Sequence, residues 1–154
     1  MIPTLIRIGL VLVSGASLFF LPKKSFYKYL PVTIFTTLLC LGVCALSIPY
    51  KFWIVKGNKT TTIFTDLCYV FGSFFAGTLW IFHLTFEKFK RYVALNFIMN
   101  MLLAFPLNYV FEKLKVYKLV NFKSKHIFFT YFSFSFIIYG FQLLIEKCVP
   151  YYNR

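Results

Sequence analysis

The twenty residues LCYVFGSFFAGTLWIFHLTF, Leu67 to Phe86, carry no formal charge and lie between Asp66 and the cluster Glu87, Lys88, Lys90 and Arg91. A helix rises about 1.5 Å per residue, so an apolar run of this length matches a hydrocarbon core roughly 30 Å thick. Within it, Gly72 with Ala76 and Ser73 with Gly77 repeat small side chains at helical spacing. Such pairs let helix backbones approach closely, and in lipid close packing stands in for the missing hydrophobic drive between helices. The stretch reads as the central, buried span of a small membrane protein.

Composition points the same way. The 154 residues are 60% hydrophobic and 23% aromatic, with only 14% charged, more apolar surface than a water-soluble domain of this size can hide. Seventeen Lys and Arg face four Asp and Glu, a net charge of +13. The basic residues fall in short gaps between apolar runs. The partner they predict is a lipid bilayer with anionic head groups, and not nucleic acid.

Working outward from Leu67–Phe86, the apolar runs predict spans at about 2–21, 30–50, 67–86, 92–111 and 127–145. Together they make one transmembrane domain over 1–154, an all-α integral membrane bundle of about five transmembrane helices. The first run is followed by LPKKSFYK and not by small residues at a cleavage site, so it reads as a retained span. Arg7 near its start is placed to snorkel to the interface, and Ser14–Ser17 form a small-residue patch suited to helix contact. In the second span, Cys40, Gly42 and Cys44 make a slim middle. The connection 51–65 is water-like, and Asn58-Lys59-Thr60 within it fits a glycosylation acceptor, a tripeptide frequent by chance. Asp66 is expected in the first turn of span three, where a carboxylate favours the helix dipole. Tyr50, Trp53, Trp80, Tyr92 and Tyr109 near span ends suit an interfacial aromatic belt. Pro106 in span four frees the carbonyl of Leu102 and predicts a kink. The lysine-rich stretch 112–125 suits a helix end or a short amphipathic segment in the interface.

Five spans put the termini on opposite sides, yet one side collects nine of the basic residues and the other eight. The positive-inside rule therefore does not orient the chain.

Few residues suggest chemistry. The cysteines Cys40, Cys44, Cys68 and Cys148 contain no CxxC and no ligand cluster with histidine, and read as small packing residues. His83 and Glu87 are one turn apart at the end of span three, an interfacial pair that could share a proton or simply make a solvated i,i+4 contact. Asn96 and Asn100 share a face of span four, with Asn108 two turns on and Gln142 in span five as a candidate partner. That face is either a polar lining for a small ligand or hydrogen-bond glue between helices, the second being favoured. No catalytic set, cofactor fingerprint or metal-ligand spacing is present. The four acidic residues all fall near predicted span ends, which weighs against ion-coupled transport.

The segments GTLWIFHLTF (77–86), LAFPLN (103–108) and VNFKSKHIF (120–128) resemble those of a group of short multi-span membrane proteins from low-GC spore-forming bacteria. The resemblance implies a bacterial cytoplasmic-membrane protein and brings no activity, cofactor or site residue with it. The sequence therefore predicts a non-enzymatic polytopic membrane protein, an assembly or accessory component packing as a homo-oligomer or with a larger membrane partner. The alternative is a small oligomeric transporter or channel using the polar face of span four, and a lipid- or quinone-handling enzyme ranks third.

Overall fold

The computed structural model describes residues 2–149, for Ile2 the backbone alone. It contains five helices and one pair of short strands. The helices are α1 (Ile2–Phe19), α2 (Lys23–Tyr50), α3 (Lys59–Thr85), α4 (Phe89–Lys113) and α5 (Ser124–Cys148). The strands are β1 (Trp53–Ile54) and β2 (Lys118–Leu119). Helices α2 to α5 are long and apolar enough to cross a membrane, and α1 is a shorter apolar helix. At 18 residues it measures about 27 Å, just under a bilayer's hydrocarbon thickness.

Helix α3 is the hub, as its small residues suggest. It packs against α1, α2 and α4, while α5 closes the ring by touching α2 and α4. A Cβ built on Gly72 would stand 3.5 Å from the Leu10 backbone, so α1 and α3 approach closely at this glycine. The patch at Ser14–Ser17 is not used in the same way. Gly15 and Ala16 are exposed, and among the described residues no other helix comes within 4 Å of a Cβ on Gly15.

Threonine-rich helices are affordable in lipid because hydroxyls can bond their own backbone. Thr33, Thr36, Thr37, Thr65, Thr78 and Thr85 each donate to the carbonyl four residues back, at 2.6–2.9 Å. The apolar core gathers at one end, around Leu21, Tyr29, Val32, Leu79, Phe82, Phe86, Tyr92 and Ile138. The Phe82 ring lies 5.6 Å from Tyr29, 5.8 Å from Phe86 and 5.1 Å from Tyr92, all tilted. At this end Tyr92 donates to the Ser135 carbonyl (2.8 Å) and Tyr139 to that of Phe86 (3.3 Å). Lys28 and Glu146 pair at 2.9 Å, the one ion pair among the described residues.

The opposite end is built differently. Lys51 takes a left-handed conformation (φ 48) to end α2, and Lys115 (φ 56) does the same after α4. Each reversal sends a connection across the bundle mouth, and the two meet as antiparallel strands with Trp53 opposite Leu119 and Ile54 opposite Lys118. Val120 and Phe122 donate backbone bonds to Phe52, whose ring stacks on Phe122 at 4.7 Å. Gly57 (φ 137), in a conformation that disfavours any side chain, then turns the chain into α3.

Several sequence expectations change here. Span three begins at Lys59 and not at Leu67, about two turns earlier. Asp66 therefore lies well inside the helix and not in its first turn, because Thr60–Thr65 is polar on one face only. Of the two readings of 112–125 the helix end holds: Glu112 and Lys113 close α4, a tight turn and β2 follow, and Ser124 opens α5, with no separate interfacial helix between them. Arg7 is 5% exposed, and its Nη2 reaches the connection across the bundle mouth, donating to the Val116 carbonyl at 3.3 Å. Tyr92 is buried, and Trp53 is half-buried with its indole N–H on Asp66, whereas Tyr50 and Tyr109 are exposed. Pro106 produces a widened turn over Leu103–Leu107, in which the Asn108 N–H reaches back to Leu103. Arg154, one of the basic residues in the charge balance, lies outside the described residues.

Candidate functional site

Beneath the strand pair the helices do not close. Helix α3 passes through a second widened turn, Tyr69–Phe74, in which the Phe75 N–H reaches back five residues to Val70. Such π turns occur disproportionately at functional sites. Tyr69, Val70 and Phe74 of one widened turn and Leu103 of the other line the same cavity. It encloses about 70 Å³ that a water-sized group can enter, against the ~10–15 Å³ that one water needs on that measure. Its walls also include Cys44, Thr65, Ile127 and Leu119, with Trp53, Phe111, Tyr117 and Tyr131 completing an aromatic lining of six rings.

Among the described residues, one formally charged side chain faces this space. Asp66 is 8% exposed and accepts a hydrogen bond from Trp53 Nε1 at 3.0 Å. It has no ion-pair partner among the described residues. An ionised carboxylate taken out of water without a countercharge costs several kcal/mol. An ionisable residue within a membrane span is accordingly a functional candidate by default.

The phenols around it divide. Tyr117 donates to Asn108 Oδ1 at 2.7 Å, and Asn108 Nδ2 reaches Ser124 Oγ at 3.0 Å. Burial, aided by Glu112, pushes the Tyr117 phenol above its ordinary value, so it stays neutral and keeps donating. Glu112 Oε1 in turn accepts from the Leu119 N–H at 2.9 Å, tying β2 to the end of α4. Tyr69 stands edge-on to Phe111 (5.4 Å) and Tyr117 (6.0 Å), and its buried hydroxyl has no hydrogen-bond partner among the described residues.

The residues singled out from sequence are dispersed. Asn96 Nδ2 donates to the Tyr92 carbonyl and Asn100 Nδ2 to that of Asn96, both at 2.9 Å and both within α4. These amides satisfy their own helix, the same solution the threonines use. Asn108 alone of the four joins the cavity's polar framework. Gln142 is fully buried, with neither amide atom partnered among the described residues. His83 Nδ1 contacts Ser25 Oγ of α2 at 2.8 Å, while Glu87 is exposed in the turn after α3. The pair predicted from i,i+4 spacing is thus divided, because the helix ends at Thr85 before its next turn forms. All four cysteines are free, and Cys44 lines the cavity. No group of three or more His, Cys, Asp or Glu is arranged to hold a metal ion among the described residues.

Sequence reasoning missed Asp66, Trp53 and Tyr69. The available signal was Asp66 itself, a carboxylate next to an apolar run and preceded by enough helix-compatible sequence to carry it inward. No protein-family model matches this chain, and none of the curated proteins or solved structures searched matches it either.

Proposed function

We propose that this integral membrane protein binds a small solute in the cavity under its strand cap, as a small carrier or channel subunit. The observation that carries this reading is Asp66: a carboxylate inside a membrane helix, opening on a cavity and without a countercharge. A residue that costs this much to keep is poorly explained as packing. This takes up the transporter alternative read from the sequence, with the proposed site at the junction of α2, α3, α4 and α5 in place of the asparagines of span four. A bacterial cytoplasmic membrane with anionic lipids is the setting that the sequence resemblance and the lysine-rich helix ends favour.

A second reading, assembly with itself or a larger membrane partner, is favoured by the open face of α1 and α2. Among the described residues nothing covers Gly15 or Gly42, and small residues left bare in lipid suit a further helix. The two readings are compatible, since small carriers commonly work as oligomers.

Cysteine reactivity tests the ligand reading. In vesicles, a variant keeping only Cys44 is expected to react with a small water-soluble thiol reagent. A variant keeping only Cys40, one turn along the same helix and fully buried, is expected not to. A Cys44 as inert as Cys40 in folded protein, together with a Trp53 that a small neutral fluorescence quencher cannot reach in a Trp80→Phe variant, would mean that the cavity is sealed and that the ligand reading fails.

A further inference from the structure

We infer that the solute is a small organic cation, an ammonium compound with a compact apolar body. This rests on reading the cavity as a ligand site and adds the class of ligand. The cavity offers one carboxylate, Asp66, and six aromatic rings. An ammonium group placed against Asp66 supplies the countercharge that no described side chain supplies. Aromatic faces attract the same charge through their quadrupoles, most strongly where water is excluded.

Other ligand classes fit less well. A hard metal ion wants six or more oxygen ligands, and here one carboxylate sits among rings and aliphatic side chains. An anion would meet Asp66 without compensation, since Arg7 is committed to the Val116 carbonyl and does not line the cavity. A neutral apolar molecule would leave Asp66 to be neutralised by a proton. Size also limits the choice: about 70 Å³ admits a handful of water-sized groups.

Trp53 reports on the site. Its indole N–H holds Asp66, so a cation arriving there alters the surroundings of the ring. With Trp80, the other tryptophan, replaced by Phe, fluorescence comes from Trp53 alone. The test titrates purified protein in vesicles with choline and with 3,3-dimethylbutan-1-ol, which has the same shape with carbon in place of the charged nitrogen. Protection of a sole Cys44 is followed in parallel.

Choline is expected to give a saturable Trp53 response and to slow Cys44 modification, with the alcohol at least about tenfold weaker. Asp66→Asn, which keeps the shape and an acceptor for Trp53, is expected to abolish the difference between the two. Equal binding of choline and the alcohol would overturn the cation assignment and leave the ligand site standing. So would a reactive Cys44 that neither compound protects. An unreactive Cys44 together with a Trp53 shielded from a small neutral quencher would remove the site itself.

Discussion

The two ends of this bundle solve the same problem in opposite ways. At one end Tyr29, Phe82, Phe86, Tyr92 and Tyr139 pack ring against ring, with centroids 4.8–5.8 Å apart. The phenols of Tyr92 and Tyr139 are bonded there and the charges of Lys28 and Glu146 are paired. At the other end two helices widen, two strands cross the mouth, and Asp66 and Tyr69 face a cavity with unspent bonding capacity. Side chains of similar type thus build a clasp at one end and a receptacle at the other. The difference lies in the charges and phenols: at one end Lys28 pairs with Glu146 and the Tyr92 and Tyr139 hydroxyls are bonded, whereas at the other Asp66 has no countercharge and Tyr69 no hydrogen-bond partner among the described residues.

If the packed end is the clasp, damage there should dominate stability. Phe82→Ala removes a 1%-exposed ring from three aromatic contacts and should cost about 3–5 kcal/mol. Tyr131→Ala at the cavity wall should cost clearly less, since a void already exists there. Thermal unfolding in detergent compares them, and equal losses would erase the distinction between the ends.

Breaking the ion pair comes next. Lys28 and Glu146 are partly exposed, at 30% and 19%, so Glu146→Gln should cost roughly 1–2 kcal/mol, between a surface and a buried pair. The exchange Lys28→Glu with Glu146→Lys should recover part of the loss. No recovery would mean that the pair does not tie α2 to α5.

The strand cap can be sharpened chemically. Ile54→Cys with Lys118→Cys, opposite each other in the strand pair, should crosslink on oxidation in a protein lacking its native cysteines, with little change in stability. Labelling should then place Asn58→Cys and Ser124→Cys on one membrane side and Ser25→Cys and Lys88→Cys on the other. Finding Asn58 and Lys88 on the same side would mean that α3 does not cross.

The smallest effect is expected at span four. Asn96→Leu with Asn100→Leu removes two bonds internal to α4 and should shift stability by less than ~1 kcal/mol, with ligand response intact. Loss of function in that folded double variant would return the site to the asparagine face.

Five apolar helices and the central place of α3 were legible because lipid imposes length and hydropathy directly on each span. Gly72 could be read as a contact for a neighbouring helix, since close approach demands a small residue. The receptacle was not legible. Its parts come from connections whose path is set by two left-handed residues, Lys51 and Lys115, neither of them the glycine that usually marks such a turn. Trp53 at the end of one span reads as an interfacial anchor until β2 is known to draw it over Asp66. Hydropathy also misplaced Asp66, because it locates where an apolar run begins and not where its helix begins. The asparagine face illustrates the converse: spacing put Asn96 and Asn100 on one face, but an amide that bonds its own backbone has no need of a neighbour.

The most direct test measures stability and ligand response together in Asp66→Asn. Neutralising a buried carboxylate without a countercharge, while keeping an acceptor for Trp53, should leave thermal stability in detergent equal or higher and abolish the choline response of Trp53. A variant that unfolds readily, or one that is stable and still binds choline like the parent, would contradict the account.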